Sequence, residues 1–315
     1  MNNFKKPDSS LWQGRKSNGD LYIHEKVICV DAIKKESAKT FAILSYACDE
    51  GVKRNQGRVG AVTGPEAIKK QLAKMPNHLK NNTQFLDVGT VFCVDDNMEQ
   101  AQQTLAKTIT TLLKNNTFPI VLGGGHDIAY GHYNGIFNAI EKDKTIGIIN
   151  FDAHFDLRAN TNGYNSGTPF YQIAEDCKTN NTTFNYLCLG IRDDANDASL
   201  FTTANKLGVT VIKNEDFNLH QSKKIQEQIS TFINSVDVVY TTIDLDGFSS
   251  AYAAGVSAAS PMGFSPDIAL QCLQTIIKSG KLISLDIAEM NPTYDIDNQT
   301  AKLAASIVHT VIHSA

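Results

Sequence analysis

Short runs of apolar residues alternate along the chain with longer stretches of amphipathic periodicity. The short runs are rich in Val, Ile, Leu and Phe with little polar alternation, which is typical of strands covered on both faces. Eight of them predict strands: Thr40–Tyr46, Phe85–Phe92, Phe118–Leu122, Thr145–Phe151, Phe184–Leu189, Val209–Ile212, Val236–Ile243 and Leu282–Ile287. Six stretches with apolar residues three or four positions apart predict helices: Pro65–Lys74, Glu99–Lys114, Ile128–Ile140, Lys223–Asn234, Pro266–Lys278 and Gln299–His313.

The alternation of strands and helices predicts the fold class. Such units pair in parallel through right-handed crossovers, so we expect an α/β protein, a three-layer α-β-α sandwich around an eight-stranded, mostly parallel sheet. We expect residues 1–38, the least patterned, to form an N-terminal extension packed on the domain, and residues 39–315 to form a single α/β domain. Ligands of such sheets bind beyond the carboxyl ends of the strands, so we expect functional side chains among the residues that follow each strand.

Composition narrows the classes of partner. The 29 basic and 33 acidic residues give a net charge of −4, which argues against a nucleic-acid partner. No apolar run approaches the roughly 18 residues of a membrane span, and the first residues lack the apolar stretch of a signal peptide. The six cysteines are widely and irregularly spaced, which favours reduced thiols. We therefore expect a cytoplasmic protein that acts on a small molecule and binds neither nucleic acid nor membrane.

Side chains that bind metals follow three of the predicted strands. They are His126, after three glycines; Asp152, His154 and Asp156; and Asp244 and Asp246. Alternate positions of an extended segment project to one side, and carboxylates this close repel unless a cation lies between them. Each motif alone could be a solvated polar loop, but three such strand ends favour metal ligation. Four carboxylates and two imidazoles exceed the needs of one ion, so they indicate two Mn²⁺ with a bridging hydroxide as nucleophile.

Glu289 follows the last predicted strand, shortly before Pro292. Proline ends the local structure and leaves the glutamate at the same rim as the metal-binding side chains. A buried glutamate without a partner is costly, so Glu289 either pairs within the protein or awaits a cationic ligand. Both interpretations stay open from the residues alone.

Taken together, these blocks resemble the ureohydrolase family, which comprises arginases, agmatinases and formimidoylglutamases. The resemblance runs from Cys48 to Pro292 and implies a single three-layer domain. Because members of this family are commonly homo-oligomers, it also implies a possible homo-oligomer. It implies one ion held by His126, Asp152, Asp156 and Asp244, and a second held by Asp152, His154, Asp244 and Asp246. Asp152 and Asp244 would then bridge the two ions.

Within this family, the details look most like formimidoylglutamase. The stretches that carry this likeness are 12–15, 48–58, 123–127, 152–158 and 166–170. Arginases have a histidine in the block corresponding to 165–170, which this chain lacks, and an asparagine where this chain has Arg158. The resemblance therefore implies hydrolysis of N-formimidoyl-L-glutamate to L-glutamate and formamide, a step of histidine degradation.

This chemistry assigns a role to each remaining candidate. Glu289 would hold the cationic amidine group, Asp156 would carry a proton to the leaving nitrogen, and Arg158 would anchor a substrate carboxylate by its planar fork. Arg54, Arg58 and Arg192 are weaker anchors, better explained by surface or structural ion pairs.

Two alternatives stay open for the function. One is another amidinohydrolase that acts on a guanidino acid, as an arginase or guanidinobutyrase would. The other is a metal-binding regulatory protein without catalysis. The remaining histidines, His132 among them, lie in no cluster and are expected to be exposed or satisfied by their neighbours.

Overall fold

A single sheet runs through the middle of the computed structural model, which describes residues 3–35 and 38–315. Its strands are β1 (Phe4–Lys5), β2 (Ile28–Cys29), β3 (Lys39–Ala47), β4 (Thr83–Phe92), β5 (Thr117–Gly123), β6 (Ile146–Phe151), β7 (Asn185–Ile191), β8 (Thr210–Lys213), β9 (Val238–Asp244) and β10 (Leu282–Ala288). The helices are α1 (Ile23–Lys26), α2 (Glu50–Arg54), α3 (Gly64–Leu72), α4 (Met98–Lys114), α5 (Ile128–Phe137), α6 (Pro169–Thr179), α7 (Ala198–Lys206), α8 (Ser222–Asn234), α9 (Pro266–Lys278) and α10 (Gln299–Ser314).

The order of the strands in the sheet is β1-β4-β3-β5-β10-β9-β6-β7-β8, and β2 also pairs with β4. All pairs are parallel except β1 with β4, where Phe4 lies opposite Val91. The predicted α/β class with a mostly parallel sheet is therefore confirmed. All eight predicted strands are present, and the two extra strands, of two residues each, are too short to produce a periodic pattern.

Helices cover both faces of the sheet. Ile68 of α3, Ile276 of α9 and Val308 of α10 belong to one buried apolar cluster, to which α8 also contributes. Leu105 of α4 and Ile173 of α6 belong to a second cluster, shared with α5 and α7. A hydrophobic layer on each side of the strands explains their near-continuous apolar runs.

Four helices were not predicted, and α5 ends at Phe137 rather than Ile140. α1 and α2 span only four and five residues. α7 buries only Leu200 and Ala204, so it lacks a strong apolar stripe. The pattern did contain a signal for α6, because proline at position 169 suits the first turn of a helix. In the described ranges, no helix is long and apolar enough to cross a membrane.

The N-terminal segment contacts the sheet through a buried polar group. Trp12 is 7% exposed, and its Nε1 donates a hydrogen bond to Asp87 Oδ2 at 2.7 Å. Lys69 Nζ donates to both oxygens of Asp87, at 2.8 and 2.9 Å. These contacts attach residues around Trp12 to β4 and α3. The division of the chain at residue 38 stays a prediction.

Candidate metal centre

The site lies where four neighbouring strands end. In the sheet, β10 lies between β5 and β9, and β6 is the next strand beyond β9. His126 follows β5; Asp152, His154 and Asp156 follow β6; Asp244 ends β9 and Asp246 follows it; and Glu289 follows β10. Because the strands are parallel, their carboxyl ends share one edge, and the structure brings all seven predicted side chains to one place.

A first group of donors surrounds His126, which is 1% exposed. Its Nδ1 lies 2.9 Å from Asp156 Oδ2, 3.1 Å from Asp244 Oδ2 and 3.2 Å from Asp152 Oδ2. This nitrogen is buried and makes no hydrogen bond of acceptable geometry in the described structure. One nitrogen and three carboxylate oxygens, all within 4.8 Å of one another, match the first ion site that the family resemblance implies.

A second group consists of Asp152, His154 and Asp246. His154 Nδ1 lies 3.2 Å from Asp246 Oδ2 and 3.5 Å from Asp152 Oδ1. Asp152 therefore contributes one oxygen to each group, as a bridging ligand would. Among the described residues, Asp244 belongs to the first group only, and its Oδ1 accepts a hydrogen bond from the backbone nitrogen of Asp246 at 2.8 Å. The resemblance had implied Asp244 for both ions.

The electrostatics of these groups fit a pair of divalent cations. Burial and the charge of Asp152 raise the pKa of Asp156 to about 6, and burial with the charge of Asp244 raises the pKa of Asp246. Asp246 Oδ1 is buried and has no hydrogen-bond partner among the described residues. Carboxylates and imidazoles without thiolates suit hard or borderline ions such as manganese. The residues present therefore fit two ions and would be relieved of mutual repulsion by them.

Two hydrogen-bonded side chains in the strands support the ligands. Asn150 Nδ2 donates to Asp152 Oδ2 at 3.0 Å and contacts the hydroxyl of Tyr186 at 2.9 Å. His126 Nε2 lies 3.0 Å from Thr242 Oγ1. Sequence reasoning missed both residues, although each lies two positions before a ligand. Because side chains alternate along a strand, that spacing could have indicated them.

Glu289 contacts the metal-binding loop directly. Its Oε1 accepts a hydrogen bond from the backbone nitrogen of His126 at 3.0 Å, while its buried Oε2 has no partner in the described structure. Burial, with the charges of Asp244 and Asp246, raises the pKa of this carboxyl well above its usual range. One oxygen is thus paired internally and the other is free for a ligand.

Two residues of the site have an uncommon backbone conformation. Asp156 has a φ of 48° and Glu289 a φ of 67°, both in the left-handed region that non-glycine residues rarely adopt. Such outliers cluster at functional sites, where the surrounding structure holds them in place. Here each belongs to the short segment that turns away from a strand end.

A cavity of about 300 Å³ lies over the two groups. The residues that line it besides the ligands include Asn55, Arg58, Arg158, Ser166, Asn196 and Glu289. Within the described part of the chain, the guanidinium of Arg158 makes no hydrogen bond or ion pair, and its backbone nitrogen donates to Gly167 O at 2.9 Å. The cavity therefore has a free cation at its wall.

The three arginines that were expected to be weaker anchors have partners. Arg54 pairs with Glu50 and Glu99, and Arg192 pairs with Asp194 at 2.7 Å. Arg58 also lines the cavity, but its guanidinium donates to the carbonyl oxygens of Val256 and Ser257. These contacts agree with the expectation that the three arginines serve structural or surface interactions.

Comparisons with known sequences show which proteins this chain resembles. A sequence model described as the arginase family matches residues 39–313. Formimidoylglutamase of Chromobacterium violaceum is 44% identical, over 95% of this chain and 96% of the relative, and that of Clostridium tetani is 36% identical, over 98% and 96%.

Solved structures show the same fold. The crystal structure of formimidoylglutamase from Bacillus subtilis aligns with a TM-score of 0.83 at 20% identity and covers 95% of this chain and 94% of its own. Trypanosoma cruzi formiminoglutamase with Mn²⁺ aligns with a TM-score of 0.78 at 23% identity and covers 89% of this chain and 94% of its own. The family match spans most of the chain, and the curated relatives match nearly its full length. This chain therefore belongs to the arginase family.

Proposed function

We propose that this chain hydrolyses N-formimidoyl-L-glutamate to L-glutamate and formamide with the help of two Mn²⁺. The observation that carries the substrate assignment is the free guanidinium of Arg158 at the wall of the cavity over the two donor groups. A substrate with two carboxylates needs a cation there, whereas agmatine has no carboxylate to offer. The formimidoylglutamases among the relatives support the same substrate.

Each of the two proposed ions would be held by one of the two donor groups. His126, Asp152, Asp156 and Asp244 would hold one ion, and Asp152, His154 and Asp246 would hold the other. When bound, the ions would supply Lewis acidity and an activated water near neutral pH. Carboxylate-rich ligation supports manganese, and so does the Mn²⁺ in the Trypanosoma cruzi structure.

Glu289 holds the cationic end of the substrate. Its Oε1 is already occupied by the backbone of His126, so Oε2 is the oxygen that accepts from the amidinium. A charge-assisted hydrogen bond in a buried site is shorter and stronger than a neutral one. The amidine carbon is thereby oriented against the donor groups, and its positive charge is compensated by a fixed carboxylate.

Arg158 holds the other end of the substrate, and Asp156 serves the leaving group. The hydrogen bond from Arg158 to Gly167 O and the nearby ligand Asp156 fix the backbone of this arginine. Its planar fork can bind a carboxylate with two hydrogen bonds. Asp156, two residues earlier and also at the cavity wall, carries a proton to the glutamate nitrogen as it departs.

A substrate panel tests this function. The purified chain, equilibrated with Mn²⁺, is incubated with N-formimidoyl-L-glutamate, L-arginine, agmatine or 4-guanidinobutanoate, and formamide, urea and glutamate are quantified. We expect equal amounts of formamide and glutamate, and little or no urea. If urea were released from a guanidino compound faster than formamide is released from N-formimidoyl-L-glutamate, the substrate assignment would be wrong. If the chain bound two ions but turned over no substrate, the regulatory alternative would be favoured.

A further inference from the structure

A buried polar network lies behind His126, on the side away from the cavity. At its centre is Asp286 of β10, which is 0% exposed. Its Oδ1 accepts a hydrogen bond from Thr242 Oγ1 at 2.6 Å. Its Oδ2 accepts from the hydroxyl of Tyr240 and contacts Nδ1 of His132 at 2.6 Å. None of these four residues lines the cavity, so they are placed to act through the ligands rather than on a substrate.

The directions of these hydrogen bonds determine which nitrogen of His126 keeps its hydrogen when an ion binds. An ionised carboxylate can only accept, so the single hydroxyl proton of Thr242 points to Asp286. The oxygen of Thr242 is then an acceptor for His126 Nε2, which lies 3.0 Å away and must carry a hydrogen. This leaves Nδ1 as the nitrogen available to an ion, and Nδ1 is the atom that lies 2.9–3.2 Å from three carboxylates.

The same reasoning explains the position of His132. Ser284 Oγ donates to Pro119 O at 3.0 Å, so its oxygen can accept from His132 Nε2, which lies 2.6 Å away. Nδ1 of His132 donates to Asp286, and both oxygens of this buried carboxylate are hydrogen-bonded. A buried carboxylate is costly unless it is hydrogen-bonded, so these contacts hold Asp286 in the position from which it orients Thr242.

We propose that Thr242 and Asp286 are positioning residues that fix the ring orientation of His126, so that Nδ1 faces the first metal ion, and thereby set the affinity for that ion. The inference rests on the metal site of the proposed function but does not depend on which amidine is hydrolysed. A metal-binding histidine needs its other nitrogen held by an acceptor, and loss of such a partner typically weakens metal binding about 10- to 100-fold.

The neighbouring threonines of β9 provide a matched test. Thr242→Val removes the hydroxyl that His126 uses, while Thr241→Val removes a buried hydroxyl that has no partner in the described structure. Metal-free protein is titrated with Mn²⁺ alone, and free Mn²⁺ is followed by electron paramagnetic resonance. We expect Thr242→Val to weaken one of two sites about 10- to 100-fold and leave the other unchanged. Thr241→Val should bind as the wild type, and Thr242→Ser should restore most of the affinity.

A second variant tests the proposal independently, and a measurement of the fold accompanies each variant. Asp286→Asn keeps the shape of the side chain but removes the charge that orients Thr242, and it should weaken the same site. Circular dichroism of each metal-free variant shows whether the fold is retained. Wild-type affinity at both sites in Thr242→Val and Asp286→Asn would overturn the proposal, as would equal weakening by Thr241→Val. Because no substrate is present, failure of the substrate assignment would leave this result untouched.

Discussion

Glu289 and His126 are joined by a hydrogen bond of 3.0 Å from the backbone nitrogen of the histidine to Oε1 of the glutamate. The contact joins the end of β10 to the glycine-rich segment after β5, across 163 positions of the chain. The carboxylate proposed to hold the substrate is thus hydrogen-bonded to the loop that carries a proposed metal ligand. The relative position of the two is set by backbone as well as by side chains.

Glu289→Gln should keep the metal but lose most of the activity. Glutamine keeps the size of the side chain and an acceptor for His126, but it removes the charge aimed at the cationic reacting group. We expect kcat to fall about 100-fold or more, with two ions still bound. Steady-state kinetics and elemental analysis provide the measurement, and Glu227→Gln, on the exposed side of α8, is the control. If kcat and KM were unchanged, Glu289 would have only a structural role.

Alanine substitutions of the proposed ligands should affect the binding of the two ions differently. Asp152 contributes an oxygen to each donor group, so Asp152→Ala should lose both ions and all activity. His126→Ala and His154→Ala should each weaken mainly one ion, because each belongs to a single group. Elemental analysis after equilibration with Mn²⁺ should give about two ions per chain for the wild type. Saturation at one ion, or equal small losses in all three variants, would contradict the binuclear site.

Arg158→Ala should lower kcat/KM for N-formimidoyl-L-glutamate without changing the metal content. Arg158 is exposed in the free chain, so we expect its charge pair to become buried only when substrate binds, and loss of one partner of such a pair costs about 2–4 kcal/mol in transition-state binding. Arg158→Lys should recover only part of the loss, because it keeps the charge but not the two-pronged geometry. Arg54→Ala is the control, since that guanidinium is occupied by Glu50 and Glu99. If Arg158→Ala were as active as the wild type, the carboxylate anchor would lie elsewhere.

Binding of Mn²⁺ should strengthen as the pH rises from about 6 to 8. Burial disfavours the charged form of His126, but contacts with Asp152, Asp156 and Asp244 outweigh it and raise its pKa well above the usual value. The raised pKa means that the histidine keeps its proton through neutral pH, so an ion must displace that proton. Calorimetry in buffers of different ionisation enthalpy should detect proton release. An affinity independent of pH would show that the ligands are already deprotonated.

Lys69→Met should destabilise the fold strongly. Lys69 is 1% exposed and neutralises the fully buried Asp87, which also accepts from Trp12. Loss of one partner of a buried ion pair costs about 3–5 kcal/mol in the free energy of unfolding. The adjacent Lys70 is half exposed and pairs only with Glu66, so Lys70→Met should cost less than about 1 kcal/mol. Urea denaturation measures the free energy of unfolding of both variants. An equal loss of stability in the two would contradict the proposed importance of the buried pair of Lys69 and Asp87.

Local patterns predicted the long strands and six of the helices, because these elements repeat apolar residues at a regular spacing along the chain. Apolar runs indicated all eight long strands, since a strand covered on both faces must be apolar throughout. The positions of His126, Asp152, His154, Asp156, Asp244, Asp246 and Glu289 after strand ends predicted that they would meet, and they do. The helices α1, α2 and α7 were missed because one or two buried residues form no detectable period. α7, with only Leu200 and Ala204 buried, is the clearest case.

By itself, the sequence determined the fold class, the set of candidate metal-binding side chains and the family resemblance, because these depend on residue types at fixed spacings along the chain. Only the tertiary structure decided which strands are neighbours, and with that the placement of β10 between β5 and β9. It also decided that Arg54 is occupied by Glu99 while Arg158 is free, and that Asp286 meets Thr242 and His132. Those partners lie about 40 to 150 positions apart in the chain. Contacts over such separations are set by the packing of the whole sheet, which no local pattern encodes.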